Sequence, residues 1–227
     1  MMRLIMLTNK NYFLLALMFV GGTVFSQEKL IAQPDNSIIT TTYKNGQINT
    51  LSTMVDTVKN GIQLKLDKYG RLEKQTQYLF GVLNGKQLTF ERGRVSVIKN
   101  YSNGLLNGTV EHYTTRRKLS SIENYSKGIK SGESKWYYYT GELCATYNYD
   151  KGLIVGESKF FFENGKVKSI YVFKNNEIDG TYTEFDEEGK KVLEGKYSKG
   201  KKNGKWKFFD KNGKITKTEK YRKGVKK

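Results

Sequence analysis

Residues 197–221 read YSKGKKNGKWKFFDKNGKITKTEKY and contain one complete copy of the unit that decides the fold. The unit opens on an aromatic residue, called the anchor here, and glycines follow it at the third, seventh and sixteenth positions. The anchor and its three glycines are Tyr197, Gly200, Gly204 and Gly213. The next anchor, Tyr221, comes 24 residues after the first. A fixed period of this length is the sequence signature of a repeat architecture.

The same unit recurs throughout the rest of the chain. Aromatic anchors stand at steps of 23 or 24 residues, at Tyr78, Tyr101, Tyr125, Tyr149, Phe173, Tyr197 and Tyr221. The glycine pattern extends back through Met54 and, more weakly, through Leu30. The three repeat positions hold 20 of the 23 glycines, and the others are Gly21, Gly22 and Gly195. We therefore expect stacked units in which each contacts only its neighbours.

The third glycine of each unit predicts a β-hairpin. Asp67 with Gly70, like Asp210 with Gly213, has the residue preferences of a type I turn. With the glycine in the left-handed region, this becomes a three-residue loop with a bulge, which pairs the twelfth and eighteenth residues after the anchor. The predicted pairs are Leu66 with Leu72, Tyr113 with Leu119, Tyr137 with Leu143, Phe161 with Val167, Phe209 with Ile215, the imperfect Phe185 with Lys191, and, across a two-residue Arg92-Gly93 turn, Phe90 with Val95.

The predicted fold class is all-β, an elongated antiparallel β-meander of tandem hairpin repeats over residues 54–227. Residues 27–53 are interpreted as a linker and a degenerate first repeat. If side chains alternate along each strand, the anchor, twelfth and eighteenth residues share one face of the sheet. Hydrophobic residues make up only 37% of the chain and the mean hydropathy is −0.64, so we expect a thin core.

The first 26 residues predict a signal peptide. Arg3 and Lys10 precede an apolar run from Tyr12 to Val24, and a small residue, Ser26, marks the expected cleavage site. The run is shorter than the roughly 20 residues of a transmembrane helix. We expect export to the periplasm, the cell envelope or the medium, with an uncleaved N-terminal anchor as the alternative. The mature chain would carry 38 basic and 22 acidic residues, a net charge of +16.

The composition argues against catalysis. With one Cys and one His, the chain cannot build a disulfide framework or a zinc site. Two glycine–lysine stretches, residues 81–86 and 200–205, resemble phosphate loops, but both are one residue short of the required spacing and precede strands. The acidic cluster at residues 184–188 is explained by turn chemistry. We expect no enzyme activity, no cofactor and no metal.

The repeat also resembles a known family. Its motif is Tyr-x-x-Gly-x-x-x-Gly-x-x-x-x-aromatic-x-x-x-Gly-Lys, and the clearest copies are residues 149–166 and 197–214. This motif is similar to the MORN-repeat variant, and it looks most like the bacterial antitoxin components of the YwqK family. The resemblance implies an antiparallel β-meander and a non-catalytic role in binding another protein. Arg117 and Asn176 depart from it, since each replaces a repeat glycine.

A second set of aromatic residues is our candidate partner-binding site. Counted by alternation, these residues face away from the stripe of twelfth residues, and they occur in the C-terminal half only. The set is Trp136, Tyr138, Phe160, Phe162, Trp206 and Phe208. Exposed aromatic patches mark binding surfaces. The alternative is that the sheet packs side chains on both faces.

The C-terminal segment, residues 198–227, carries 13 Lys and Arg and two acids. The lysines either keep a terminal edge strand from aggregating or attract a polyanion such as an envelope polymer or anionic lipid. The polyanion-binding candidates are Lys199, Lys201, Lys202, Lys205, Lys207 and Lys214. Our leading hypothesis is an exported scaffold that binds a protein, either a toxin or an envelope protein. The alternative is an electrostatic envelope-binding module. Export argues against a nucleic-acid partner.

Overall fold

The computed structural model describes residues 35–227. The predicted signal peptide, residues 1–26, and the start of the linker lie outside the described residues. Residues 35–227 form strands, turns and bends without a helix, so this part of the chain holds no helix that could span a membrane. The all-β fold class is confirmed.

The chain divides into two compact units, Met1–Val82 and Leu83–Lys227. The first unit contains an antiparallel meander in which each strand pairs with the next. Its strands are β1 (Asn36–Thr42), β2 (Ile48–Val55), β3 (Val58–Leu66) and β4 (Leu72–Leu79). The hairpin of β1 and β2 falls largely within residues 27–53, and its loop at Gly46 has the hydrogen bonds of the later repeats.

The second unit continues the same pattern from β5 onward. Its strands are β5 (Val82–Glu91), β6 (Arg94–Ser102), β7 (Leu105–Tyr113), β8 (Leu119–Ser126), β9 (Ile129–Lys130), β10 (Gly132–Tyr137), β11 (Leu143–Asp150), β12 (Leu153–Ile154), β13 (Gly156–Phe161), β14 (Val167–Lys174), β15 (Glu177–Phe185), β16 (Lys191–Ser198), β17 (Lys201–Phe209), β18 (Ile215–Arg222) and β19 (Val225–Lys226). All the pairings are antiparallel, and the hairpins follow each other in chain order. A single irregular residue separates β9 from β10, and another separates β12 from β13.

The predicted hairpin register is confirmed in every repeat. The twelfth and eighteenth residues are partners from Leu66 and Leu72 to Phe209 and Ile215, including the imperfect Phe185 with Lys191. The shortened unit pairs Phe90 with Val95, as expected.

An aspartate side chain holds the three-residue loop. In the loop of Asp67, the amide of Gly70 donates to the Asp67 carbonyl oxygen at 3.0 Å. The Asp67 Oδ1 atom accepts from the amides of Tyr69 and Arg71 at 2.8 and 2.9 Å. The glycine takes a φ of 78°, a region that glycine occupies readily because it has no Cβ. Asp at the first and Gly at the fourth loop position therefore specify this turn together.

The twelfth and eighteenth residues share a face as predicted, but the prediction that the anchor lies on that face is wrong. Successive hairpins are joined by two-residue turns, which pair each anchor with the fifth residue after it, as Tyr197 with Lys202 and Tyr221 with Lys226. Paired residues lie on the same face. Because five is odd, the ninth and eleventh residues join the anchor's face and the twelfth points to the opposite one. A bulge at the nineteenth residue then returns the next anchor to the first face.

We call the face of the second unit that carries Phe173, Tyr197 and Tyr221 the anchor face. The hydrophobic core is thin, because the repeats form a single layer of strands. Within residues 35–227 the buried hydrophobic side chains are Val110, Ala145, Tyr182 and Trp206. Most of the other aromatic side chains are half-buried. A thin core agrees with the low hydrophobic content.

Candidate binding surface

A continuous row of aromatic rings runs along the anchor face of the second unit. Each ring contacts the next, with centroid distances of 5.0, 5.6, 5.4, 4.7 and 5.6 Å. We call this the aromatic row; its members are Trp136, Tyr147, Phe160, Tyr171, Tyr182 and Trp206. The contacts are mostly edge-to-face or tilted, geometries that add about 0.5–1.5 kcal/mol per pair beyond area burial. The anchors Phe173 and Tyr197 pack against the row from one side.

Small residues lie across from several of the large rings of the row. Three of the rings each stand directly opposite a small residue in a neighbouring strand. The pairs are Tyr147 with Ser134, Tyr171 with Ser158, and Tyr182 with Gly195. Both serines are fully buried. A small residue leaves room for the ring opposite it on the same face, so a single layer of strands reaches local close packing.

Trp206 is the most enclosed side chain of this surface, with 0% of it exposed. Its indole lies over Gly195, where an added Cβ would come within 2.3 Å of the indole Cδ2 atom. Tyr182 and Tyr197 pack at 5.6 and 5.1 Å, and the Lys202 Nζ lies 4.2 Å from the ring centroid. Gly195 is therefore required by contact with the indole, which explains why it lies outside the repeat pattern.

A glutamate–tyrosine–lysine triad stands near each end of the row. At the C-terminal end, the Tyr221 hydroxyl donates to Glu219 Oε2 at 2.7 Å. The ammonium groups of Lys217 and Lys226 approach Glu219 Oε1 at 2.7 and 2.5 Å. Four repeats earlier, Glu123, Tyr125 and Lys130 form the same arrangement.

The triads shift the pKa values of their own members. Burial and the hydrogen bond to Glu123 raise the pKa of Tyr125 to about 12. Hydrogen bonds from Lys217, Lys226 and Tyr221 lower the pKa of Glu219 to about 2. The Glu219 carboxylate is therefore held in its ionised form.

The low pKa of Glu219 predicts acid sensitivity. A carboxyl group whose pKa is about 2 in the fold and about 4.3 in the unfolded chain stabilises the fold at and above neutral pH. This contribution is lost progressively as the pH falls from about 5 to 2. We expect the urea midpoint of the native chain to fall more steeply over this range than that of Glu219→Gln. If the urea midpoints of the two proteins fell in parallel with pH, the low pKa of Glu219 would be contradicted.

Four of the six predicted aromatic residues lie on the anchor face, and the other two lie in loops. Trp136 and Phe160 belong to the aromatic row, and Phe208 lies on the same face, under the Lys217 ammonium at 5.4 Å. These residues therefore share a face with the anchors, because the two-residue turns shift the alternation. Trp206 also lies on that face but is fully buried, so it stabilises the neighbouring rings and is not itself available to a partner.

The other two members of the set lie in the three-residue loops at the sheet edge. The Tyr138 hydroxyl donates to the Phe161 carbonyl oxygen at 2.6 Å, which ties one loop to the next hairpin. Tyr138 and Phe162 line an open groove of about 450 Å³ together with Glu163, Asn164 and Glu187. The sequence analysis did not select Tyr147, Tyr171 or Tyr182 as members of the site. Tyr147 and Tyr171 are the 22nd residues after their anchors and Tyr182 is the ninth, and these positions could have identified them.

The predicted polyanion-binding lysines do not form one cluster. Lys202 covers Trp206 on the anchor face, and Lys207 forms an ion pair with Glu194 at 3.4 Å. Lys205 stands directly opposite Lys220 on the other face. The remaining candidates, Lys199, Lys201 and Lys214, are exposed in or beside the turns. Within residues 35–227, no group of three or more His, Cys, Asp or Glu side chains could hold a metal ion.

Three segments of the chain match the family described as MORN repeat variant, at residues 130–151, 154–175 and 202–223. Each segment begins five residues after an anchor and ends two residues after the next, so it contains one hairpin of the meander. The matched hairpins carry Trp136, Phe160 and Trp206 of the aromatic row. Among curated proteins, no match to the chain was found.

Proposed function

We propose that the chain is an exported, non-catalytic repeat scaffold that binds a protein partner on its anchor face. The observation that carries this proposal is the aromatic row, a continuous apolar strip on a single-layered sheet whose rings are half-buried except for Tyr182 and Trp206. Strips of aromatic residues with polar surroundings are typical of protein interfaces. The MORN-like repeat supports a scaffold role, and the antitoxin-like resemblance makes a toxin one class of partner.

A pair of adjacent phenylalanines provides the test. Phe160 and Phe161 follow each other in β13 and are both half-buried, but Phe160 belongs to the aromatic row and Phe161 points to the opposite face. We expect affinity capture from the envelope fraction to recover a stoichiometric protein with the native chain. Phe160→Ala should reduce the yield by about tenfold or more, as expected for an aromatic residue that contributes much of the binding energy of an interface.

Phe161→Ala is the matched control, since it removes a ring of the same size from the other face of the same strand. Its capture yield should stay close to that of the native chain. Urea unfolding of both variants would separate loss of folding from loss of the contact surface. Equal losses of capture in two variants of equal stability would contradict binding on the anchor face.

A second candidate function is electrostatic attachment to an anionic envelope polymer or lipid. Lys205 and Lys220 favour it, because like charges directly opposite each other in a hairpin destabilise the pair. The same capture experiment distinguishes the two functions. Material held by the lysines would be released when the salt concentration rises from 0.1 to about 1 M, whereas a partner held by the aromatic row would remain.

A further inference from the structure

Two adjacent hairpin ends of the second unit hold four of the chain's seven arginines. Arg92 lies in the turn between β5 and β6 and Arg94 is the first residue of β6, whereas Arg116 and Arg117 lie in the loop between β7 and β8. Because β6 pairs with β7, the two loops are neighbours at one edge of the sheet. The Arg94 Nη1 atom donates to the Thr115 carbonyl oxygen at 2.8 Å and joins them.

Two grooves lie at this junction. One has a volume of about 270 Å³ and the other about 440 Å³, and they share Arg94, Val95 and Tyr113. Arg92 lines the first groove and Arg117 the second. The second groove also has apolar walls from side chains at the ends of β5 and β6, including that of Phe90. The site therefore combines guanidinium groups with an apolar floor.

Arg117 occupies a backbone position that otherwise holds glycine. Its amide donates to the Thr114 carbonyl oxygen at 2.9 Å, as the loop glycine does in the other three-residue loops of residues 35–227. Those glycines are Gly46, Gly70, Gly141, Gly165, Gly189 and Gly213. Arg117 takes the same left-handed conformation, with φ at 65°. A side chain is disfavoured there, so the arginine is kept at this loop position at a cost in backbone energy.

The charge in the grooves is not neutralised within the part of the chain that the structure describes. Arg92 and Arg117 form no ion pair there, and Arg94 bonds to a carbonyl oxygen through one nitrogen. One carboxylate, that of Glu91, is among the lining residues. The Glu111 carboxylate accepts a hydrogen bond from the Tyr113 hydroxyl, so three guanidinium groups stand against two carboxylates and a positive charge remains. The planar fork of arginine matches a carboxylate in two parallel hydrogen bonds.

We propose that Arg92, Arg94, Arg117, Phe90 and Tyr113 form an arginine groove that binds an acidic peptide segment of a protein partner. The partner's carboxylates would lie on the guanidinium groups, and an apolar side chain beside them would lie on Phe90 and Tyr113. Ligand pockets have volumes of about 300–1,000 Å³; the second groove, of about 440 Å³, lies within this range, and the first, of about 270 Å³, lies just below it. This site is separate from the aromatic row and would give the partner a second contact.

The test measures the binding of a labelled peptide to the full chain. The peptide is a fluorescein-labelled hexapeptide in which two central glutamates are flanked by phenylalanines. Fluorescence anisotropy should show salt-sensitive binding. The same peptide with glutamines should bind about tenfold more weakly, as expected when charge-assisted hydrogen bonds are lost. Arg117→Gly should weaken binding by a similar factor and at the same time raise the urea midpoint, because glycine relieves the left-handed strain.

A loss of affinity together with a gain in stability distinguishes a binding residue from a structural one. Arg116→Gly is the control: it removes the same charge from the neighbouring position, where the guanidinium lies 4.8 Å from the Tyr139 ring centroid. It should leave the affinity within about twofold. Phe160→Ala should also bind the hexapeptide normally, so a failure of the anchor-face proposal would not affect this one. Unchanged affinity in Arg117→Gly, or displacement of the peptide by equimolar inorganic phosphate, would overturn the proposal.

Discussion

Replacing Gly195 by alanine is expected to lower the free energy of unfolding by about 3 kcal/mol, the upper end of the range for overpacking a core. The new Cβ would meet three indole atoms of Trp206 at 2.3, 2.4 and 2.7 Å, all closer than real Cβ contacts. The indole cannot retreat, because Tyr182, Tyr197 and Lys202 enclose it. Urea unfolding followed by tryptophan fluorescence would measure the change.

Gly165→Ala is the matched control for this substitution. Gly165 lies in a three-residue loop with φ at 81°, and nothing lies within 4 Å of the Cβ that alanine would add. The left-handed backbone alone should therefore lower the stability by about 1–2 kcal/mol. A smaller effect at Gly195 than at Gly165 would show that the indole does not rest on the strand backbone as described.

The register of the hairpins was predictable because it is encoded locally. Asp and Gly at fixed loop positions specify the turn, and the turn fixes which residues pair. Leu66 with Leu72 and Phe209 with Ile215 follow from that rule alone. The shortened Arg92-Gly93 turn preserves the pair of Phe90 with Val95 for the same reason.

Which residues share a face of the sheet could not be predicted by assuming strict alternation of side chains through the whole unit. Alternation holds along a strand, but each two-residue turn and each bulge shifts it by one position. The twelfth residue, such as Phe209, and the anchor, such as Tyr221, consequently lie on opposite faces. A count restarted from the pairing of Tyr197 with Lys202 gives the observed arrangement. The missing information was therefore the turn geometry.

The candidate site was predicted in part. Trp136 and Phe160 were selected from the sequence as unusual aromatics, and the structure places both in the aromatic row. The burial of Trp206 could not be predicted, since it depends on Gly195 in the neighbouring strand, outside the repeat pattern. Arg117 was visible as a departure from the repeat, but its significance depends on the left-handed backbone that it shares with the loop glycines.

Trp206→Ala is expected to have the largest effect of any single substitution in the row, a loss of about 3–5 kcal/mol. The indole is completely buried, contacts three tyrosine rings and lies under the Lys202 ammonium. Chemical unfolding monitored by circular dichroism would measure it. Trp136→Ala is the control, because that indole is half-buried and should contribute less.

The effects at Gly195 and Trp206 should be strongly non-additive. The penalty of a Cβ at position 195 comes from the indole, so Gly195→Ala should be nearly neutral once Trp206 has been replaced by alanine. Residues in direct contact show coupling free energies of about 0.5–3 kcal/mol, and here we expect the upper end. Additive losses in the double variant would mean that the glycine contributes to its own strand independently of the indole. Coupling would instead show that the position has glycine because the neighbouring strand has tryptophan, which is how a single-layered sheet obtains a buried centre without a second layer.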